Sequence, residues 1–272
     1  MRERFKNPPL VELIAELRWG SGGVLSSPQL QGTGPILLAL TGQHEEFFMK
    51  FGSKAGAVGY DLVERVLPQG FPAMPFQVVY RFRRKGQEQG TTLYQVGAGI
   101  FSANSTPPYR FWDDFKPVLE QGVRLLLETR NPPEREMSFT GASLRYINAF
   151  GDKFTEGRSM AVFIRDVLGF VVEPPAPIQD EMPPDKELKP SLQLLIPLKS
   201  GQDMALRVTD GLVSGEQAVI MDLTVSTAAH TQPRESDLMA VFDTAHEVAH
   251  RVFVGITKKL FDKMELIEGG EM

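Results

Sequence analysis

The sequence predicts an α+β fold of mainly antiparallel sheets with long amphipathic helices packed on them. Three observations carry that expectation. Residues 76–102 read as two alternating segments about a polar turn, the pattern of a β-hairpin. Residues 192–199, 203–213 and 217–227 read as three more strands, joined at Ser200-Gly201-Gln202 and Ser214-Gly215. Residues 111–129 and 236–264 carry apolar side chains at the helical period.

Taken in order, 10–19 alternates after Asn7-Pro8-Pro9. Val11, Leu13, Ala15 and Leu17 point one way and Glu12, Glu16 and Arg18 the other. The Glu and Leu content also permits a helix, but Pro9 before it and Gly20, Gly22 and Gly23 after it favour a strand. Residues 20–35 read as loop; neither Gly20-Ser21-Gly22-Gly23 nor Gly32-Thr33-Gly34-Pro35 completes a phosphate-binding motif. Residues 36–67 read as helix in pieces, broken near Gly52 to Gly59, with His44 on a charged face. In the hairpin, Phe76, Val78, Tyr80 and Phe82 oppose Gln77, Val79, Arg81 and Arg83. The helix over 111–129 contains Pro117, which predicts a kink or a start close by, and stops at Asn131-Pro132-Pro133. A strand follows over 136–150, so the first half runs strand, helix, strand, strand, helix, strand. That is the ferredoxin-like order βαββαβ.

In the second half a short helix is expected over 160–168. Residues 173–190, with six prolines and several acids, are expected to form an exposed surface loop. The three-stranded meander follows, and the terminal helix covers it. That helix places Leu238, Val241, Phe242, Ala245, Ala249, Val252, Phe253, Ile256 and Leu260 on one face. Ser236 is its expected N-cap, and Lys258, Lys259 and Lys263 suit its negative end. We divide the chain into an N-terminal α+β half, 1–150, and a C-terminal α+β half, 151–272, lying side by side or fused into one compact unit.

Composition narrows the chemistry. The 272 residues contain no cysteine, which excludes disulfides, thiolate metal sites and cysteine nucleophiles and favours a cytoplasmic chain. A net charge of −5 gives no electrostatic pull toward nucleic acid or anionic membrane. The charged N-terminus lacks the apolar core of a signal peptide, and no run of about 18 apolar residues predicts a membrane span.

One chemical motif stands out. His246-Glu247-Val248-Ala249-His250 spells the zinc-peptidase pattern, in which two imidazoles one helical turn apart hold the metal and the glutamate activates its water. A third ligand is missing from the pattern: Phe253 stands where the extended motif has glycine, and no histidine follows His250. Glu265, Glu268 and Glu271 are the carboxylates of the downstream tail, and Asp243 shares the flank of the pair. The expectation is therefore no catalytic residue, no metal and no cofactor. The alternative is a zinc hydrolase using His246, His250 and Glu247. Arg83 and Arg84, with Arg81 and Lys85, form a local basic patch, read either as phosphate contact or as a charged edge that blocks strand aggregation. Tyr109, Phe111 and Trp112 cluster beside Pro107-Pro108, as interaction surfaces and cores both do.

Several stretches together resemble a sporadically distributed family of uncharacterised bacterial proteins. They are Asn7-Pro8-Pro9-Leu10-Val11-Glu12 leading to Leu17-Arg18-Trp19; Phe101 followed by Tyr109, Phe111 and Phe115; Arg145-Tyr146-Ile147-Asn148; and Ala245-His246-Glu247 with Phe253 and Ile256-Thr257. The match departs at Ser102-Ala103-Asn104-Ser105, where the family is more aromatic. His250 is not a family position, which counts against zinc. The resemblance spans nearly the whole chain and implies no settled activity; the patchy distribution implies a place in mobile or defence-associated gene clusters. The functional expectation is a non-enzymatic binding or regulatory protein that acts through a protein partner, with self-association open and Tyr109, Phe111, Trp112, Arg83 and Arg84 as candidate contacts.

Overall fold

The computed structural model describes residues 3–20, 40, 42–86, 92–107, 111–132 and 134–267. A two-residue strand β1 (Arg4–Phe5) leads into β2 (Leu10–Trp19), helix α1 (Gly42–Ala57), and the strands β3 (Leu62–Arg65), β4 (Val78–Arg83), β5 (Thr92–Gly97) and β6 (Ile100–Ser105). Helix α2 (Trp112–Thr129) and strand β7 (Phe139–Phe150) follow. The second half holds the short helices α3 (Asp152–Thr155), α4 (Met160–Asp166) and α5 (Ala176–Gln179), and the meander β8 (Leu192–Pro197), β9 (Asp203–Val213) and β10 (Glu216–Thr227). It ends in helix α6 (Glu235–Thr257), a 3-10 turn, α7 (Phe261–Met264) and β11 (Leu266–Ile267).

Among the described residues, nine strands form one sheet in the order β3-β4-β5-β6-β2-β7-β10-β9-β8, with every pairing antiparallel. The α+β reading holds. The expected βαββαβ order holds only roughly: the strand read over 91–102 is divided at Ala98-Gly99 into β5 and β6, and β3 is added after α1, although β2 does lie between β6 and β7. The meander β8-β9-β10 and its covering helix also stand as expected. The two halves do not carry separate sheets, because β7 pairs with both β2 and β10. A pseudo-two-fold axis passes between β2 and β7. On one side the order outward is β2, β6, β5, β4; on the other it is β7, β10, β9, β8.

Helices α1, α2 and α6 all pack on one face. That face carries Leu13, Ala15, Leu17 and Trp19 of β2, Phe101 and Ala103 of β6, Leu144 of β7 and Val208, Met221, Leu223 and Val225 beyond, all buried. The opposite face is polar: Arg145 Nε donates to Asp222 Oδ1 at 2.9 Å, and Asn104 Nδ2 to Glu12 Oε1 at 2.8 Å. The period of two in the strands thus becomes one buried and one wetted face. Under α1 the core is aromatic. Phe51 meets Phe82, Tyr94 and Phe101 with ring centroids 5.3, 6.2 and 5.9 Å apart. Each such buried phenyl contributes roughly 1.5–3 kcal/mol.

Several expectations are corrected. The helix expected in pieces is continuous from Gly42 to Ala57. Gly52 does not break it; a Cβ there would sit 2.9 Å from the Phe82 ring, so the glycine lets the helix approach the sheet. The turn comes later, at Gly59 with φ of +93°, and β3 occupies part of the segment read as helix. Helix α2 runs through Pro117 and starts five residues before it, at Trp112. Helix α6 begins one residue earlier than expected. Arg234 occupies its N-cap position without a side-chain cap, and Ser236 lies inside the first turn and bonds Asp237. The helical path reaches Met264 as expected, but not as one α-helix: α6 stops at Thr257, whose hydroxyl donates to Phe253 O at 2.7 Å, and a 3-10 turn leads into α7. Residues 173–190 are exposed along most of their length, with a single helical turn at α5. Ser214-Gly215 forms the expected tight turn, with φ of +53° and +86°. The loop read over 20–35 lies, apart from Gly20, outside the described residues, as does most of the hairpin turn.

Two buried groups give the fold opposed responses to alkali. Burial, and then the Tyr60 ring 4.2 Å away, holds the Tyr94 phenol well above the usual tyrosine range. A group whose folded pKa is raised stabilises the fold below its unfolded value of about 10 and loses that contribution as pH rises past it. Burial acts oppositely on Arg130, lowering it to about 10 against the pull of Glu134 and Glu136. Its charge burdens the fold at neutral pH, and the burden lifts as pH climbs through that value. Tyr94→Phe separates the two. The variant loses the 2.7 Å bond to Val118 O, costing about 1 kcal/mol near neutrality, yet its urea midpoint is expected to fall less steeply above about pH 10 than the parent's. Parallel curves would overturn this.

Candidate functional site

Four elements converge on a pocket of about 100 Å³ on the helix side of the sheet. The alternation of β7 turns Tyr146 and Asn148 toward the helices, while Arg145 faces the polar side; the pairings Leu13–Tyr146 and Leu10–Asn148 place both beside the start of β2. The first turn of α2 supplies Trp112 and Asp113, with Phe111 just ahead of it. Helix α6 supplies His246, Ala249, His250 and Phe253, residues three, four and seven positions apart and therefore on one face. The N-terminal segment closes the pocket with Glu3, Arg4 and Phe5, tied down by β1–β11 pairing and by Lys6 N and Asn7 N donating to Glu265 O and Met264 O.

The rings interlock. Trp112 and His246 stack with centroids 4.6 Å apart and planes 7° off parallel. Tyr146 Oη and His246 Nδ1 share a 2.7 Å hydrogen bond. The imidazoles of His246 and His250 lie 5.7 Å apart, and Glu3 Oε2 is 3.6 Å from His250 Nε2. Behind Trp112, Asp243 accepts from its indole N–H at 3.2 Å and from Lys116 Nζ at 2.8 and 2.9 Å, which locks the indole. Arg4 pairs with Asp113 and lies over the Phe111 ring at 5.2 Å. Asn148 is 3% exposed, and its Nδ2 has no hydrogen-bond partner among the described residues.

The sequence-predicted residues divide. Phe111, Trp112, His246 and His250 meet in this pocket. Glu247 is exposed and does not line it. Asp243, on the flank of the histidine pair, is committed to Trp112 and Lys116. Among the described residues, no group of three or more His, Cys, Asp or Glu is placed to hold a metal ion. Arg83 is on the polar face, opposite Leu62 and Leu93, and Arg84 lies over the Tyr60 ring at 4.7 Å; both are remote from the helix-side pocket. Tyr109 lies outside the described residues. Sequence reasoning passed over Tyr146 and Asn148 as pocket residues, although strand alternation alone puts both on the Leu144 face.

No family model matches this chain, and no curated protein matches it. No helix among the described residues is long and apolar enough to cross a membrane.

Proposed function

We propose that this chain is a non-enzymatic binding protein that engages a protein partner at the aromatic pocket, as an accessory component of a bacterial defence or mobile gene cluster. The observation that supports this reading is the convergence of Phe111, Trp112, Tyr146 and Phe253 around a buried amide. Aromatic side chains over a pre-formed pocket are the usual anchors of interfaces. The rival reading, a zinc hydrolase, has the two imidazoles side by side in its favour. Against it, Glu247 is exposed outside the pocket, and among the described residues no third ligand joins the pair.

The test is co-purification from the native host with metal analysis of the same sample. A partner in fixed stoichiometry is expected, lost at least tenfold when Phe111→Ala removes a half-buried ring at the pocket mouth. A partner-free, zinc-loaded chain that cleaves a peptide or ester, and stops doing so as Glu247→Gln, would replace this reading with the hydrolase.

A further inference from the structure

We infer that the pocket binds a neutral aromatic ring carrying one hydrogen-bond-accepting oxygen, a phenol-like group, with Asn148 Nδ2 donating to that oxygen. The inference rests on the pocket being a recognition site, but not on the source of the ring.

Size sets the first limit. About 100 Å³ is several times the roughly 10–15 Å³ that one water needs, and approaches cavities that hold a benzene ring. The walls set the second. Phe5, Leu10, Phe111, Trp112, Leu223, Ala249 and Phe253 make the lining mostly apolar, so a flat apolar body is matched to it. Charge sets the third. The charged groups at the rim are Glu3, Arg4 and Asp113, and Arg4 is already paired with Asp113. An anion would have to share the rim with the Glu3 carboxylate, which already lies 3.6 Å from His250 Nε2, and a cation would lie against the donor hydrogens of Asn148. A neutral group avoids both penalties.

Asn148 supplies the specificity. Its side chain lies in a strand held on both sides, opposite Leu10 in β2 and Met221 in β10, so it cannot swing out to water. A buried amide N–H without an acceptor is costly, and an incoming oxygen removes that cost; a ring without oxygen does not. The two phenols that fit are a tyrosine side chain of a partner and a free small molecule.

The test uses the intact chain labelled with nitrogen-15, titrated with p-cresol, toluene and a capped Gly-Tyr-Gly peptide. The Asn148 side-chain amide signal is identified by its loss in Asn148→Leu. That signal is expected to move with p-cresol, which should bind about fivefold or more tightly than toluene. Asn148→Leu should erase the preference while leaving toluene bound. If that variant does not fold, Ala249→Leu, which fills the pocket from α6, should abolish binding of every probe. Peptide binding at least as tight as p-cresol assigns the ring to a protein side chain. Binding of p-cresol alone keeps the inference and assigns the ring to a small molecule, which removes the anchor proposed for the partner. Toluene binding as tightly as p-cresol, or no probe moving the Asn148 signal, overturns the inference, and co-purification then decides the partner reading by itself.

Discussion

Gly97→Ala is expected to destabilise the protein by about 3 kcal/mol, the upper end for an overpacked core. A Cβ at Gly97 would lie 1.9 Å from the carbonyl oxygen of Gln77 and 2.9 Å from Ile100 Cγ2. The first neighbour is backbone, so no rotamer change relieves the clash. Strands β4 and β5 are out of step at this point, with Val78 opposite Gly97 and Tyr80 opposite Val96, and the glycine lets the chain of β4 close over β5. Relief requires moving β4, together with Phe82 and the helix α1 that rests on it. The urea midpoint measures the effect. A loss under about 1 kcal/mol would mean that the approach of Gln77 to Gly97 is looser than the structure gives.

Trp19→Ala is expected to cost about 4 kcal/mol, within the range for emptying a large aromatic site. Trp19 is 1% exposed, meets Phe47 and Phe139 edge-on at 5.8 and 5.9 Å, and donates to Glu134 Oε2 at 2.7 Å. It is also one of two rings beneath the Arg130 guanidinium, which is 0% exposed and has Nε and Nη1 without hydrogen-bond partners among the described residues. Removing the indole leaves a cavity and takes from Arg130 one of the surfaces that compensate its buried charge. Trp19→Phe keeps a ring and loses the bond to Glu134, so about a third of the cost is expected. Equal losses for the two variants would show that the hydrogen bond, not the ring, holds this corner.

Most strands of the fold were legible because their chemistry is local, although β3 was read as helix and β5 and β6 as one strand. Asp203–Val213 was readable to the residue, since alternation and a two-residue turn both mark it. Helix α1 was misread because glycine is a breaker by propensity, whereas Gly52 answers to Phe82, a residue brought near only by the fold. The apolar stripe follows the helical path as far as Leu260 but does not register the 3-10 turn at Lys258–Leu260 that separates α6 from α7. At the candidate site the histidine pair and the aromatic cluster could be named from spacing. Their meeting with Tyr146 and Asn148 could not, because it depends on which face of a central strand looks toward which helix. Arg83 and Arg84 show the reverse: neighbours in sequence to a plausible patch, they stand apart from the pocket once the sheet is laid out.

The central position of β2 also governs how the molecule assembles. Leu13 pairs with Ser105 on one side and Tyr146 on the other, partners far along the chain. Neither ladder forms until long loops have closed, and the entropy of closure is spent before any contact across the seam repays it. The hairpins β4-β5-β6 and β8-β9-β10 are local and need no such search. The slow step of folding is therefore expected at the junction of β2 and β7, where two local meanders await the strands that join them, and until these dock each meander would expose an inner edge to pairing with other chains.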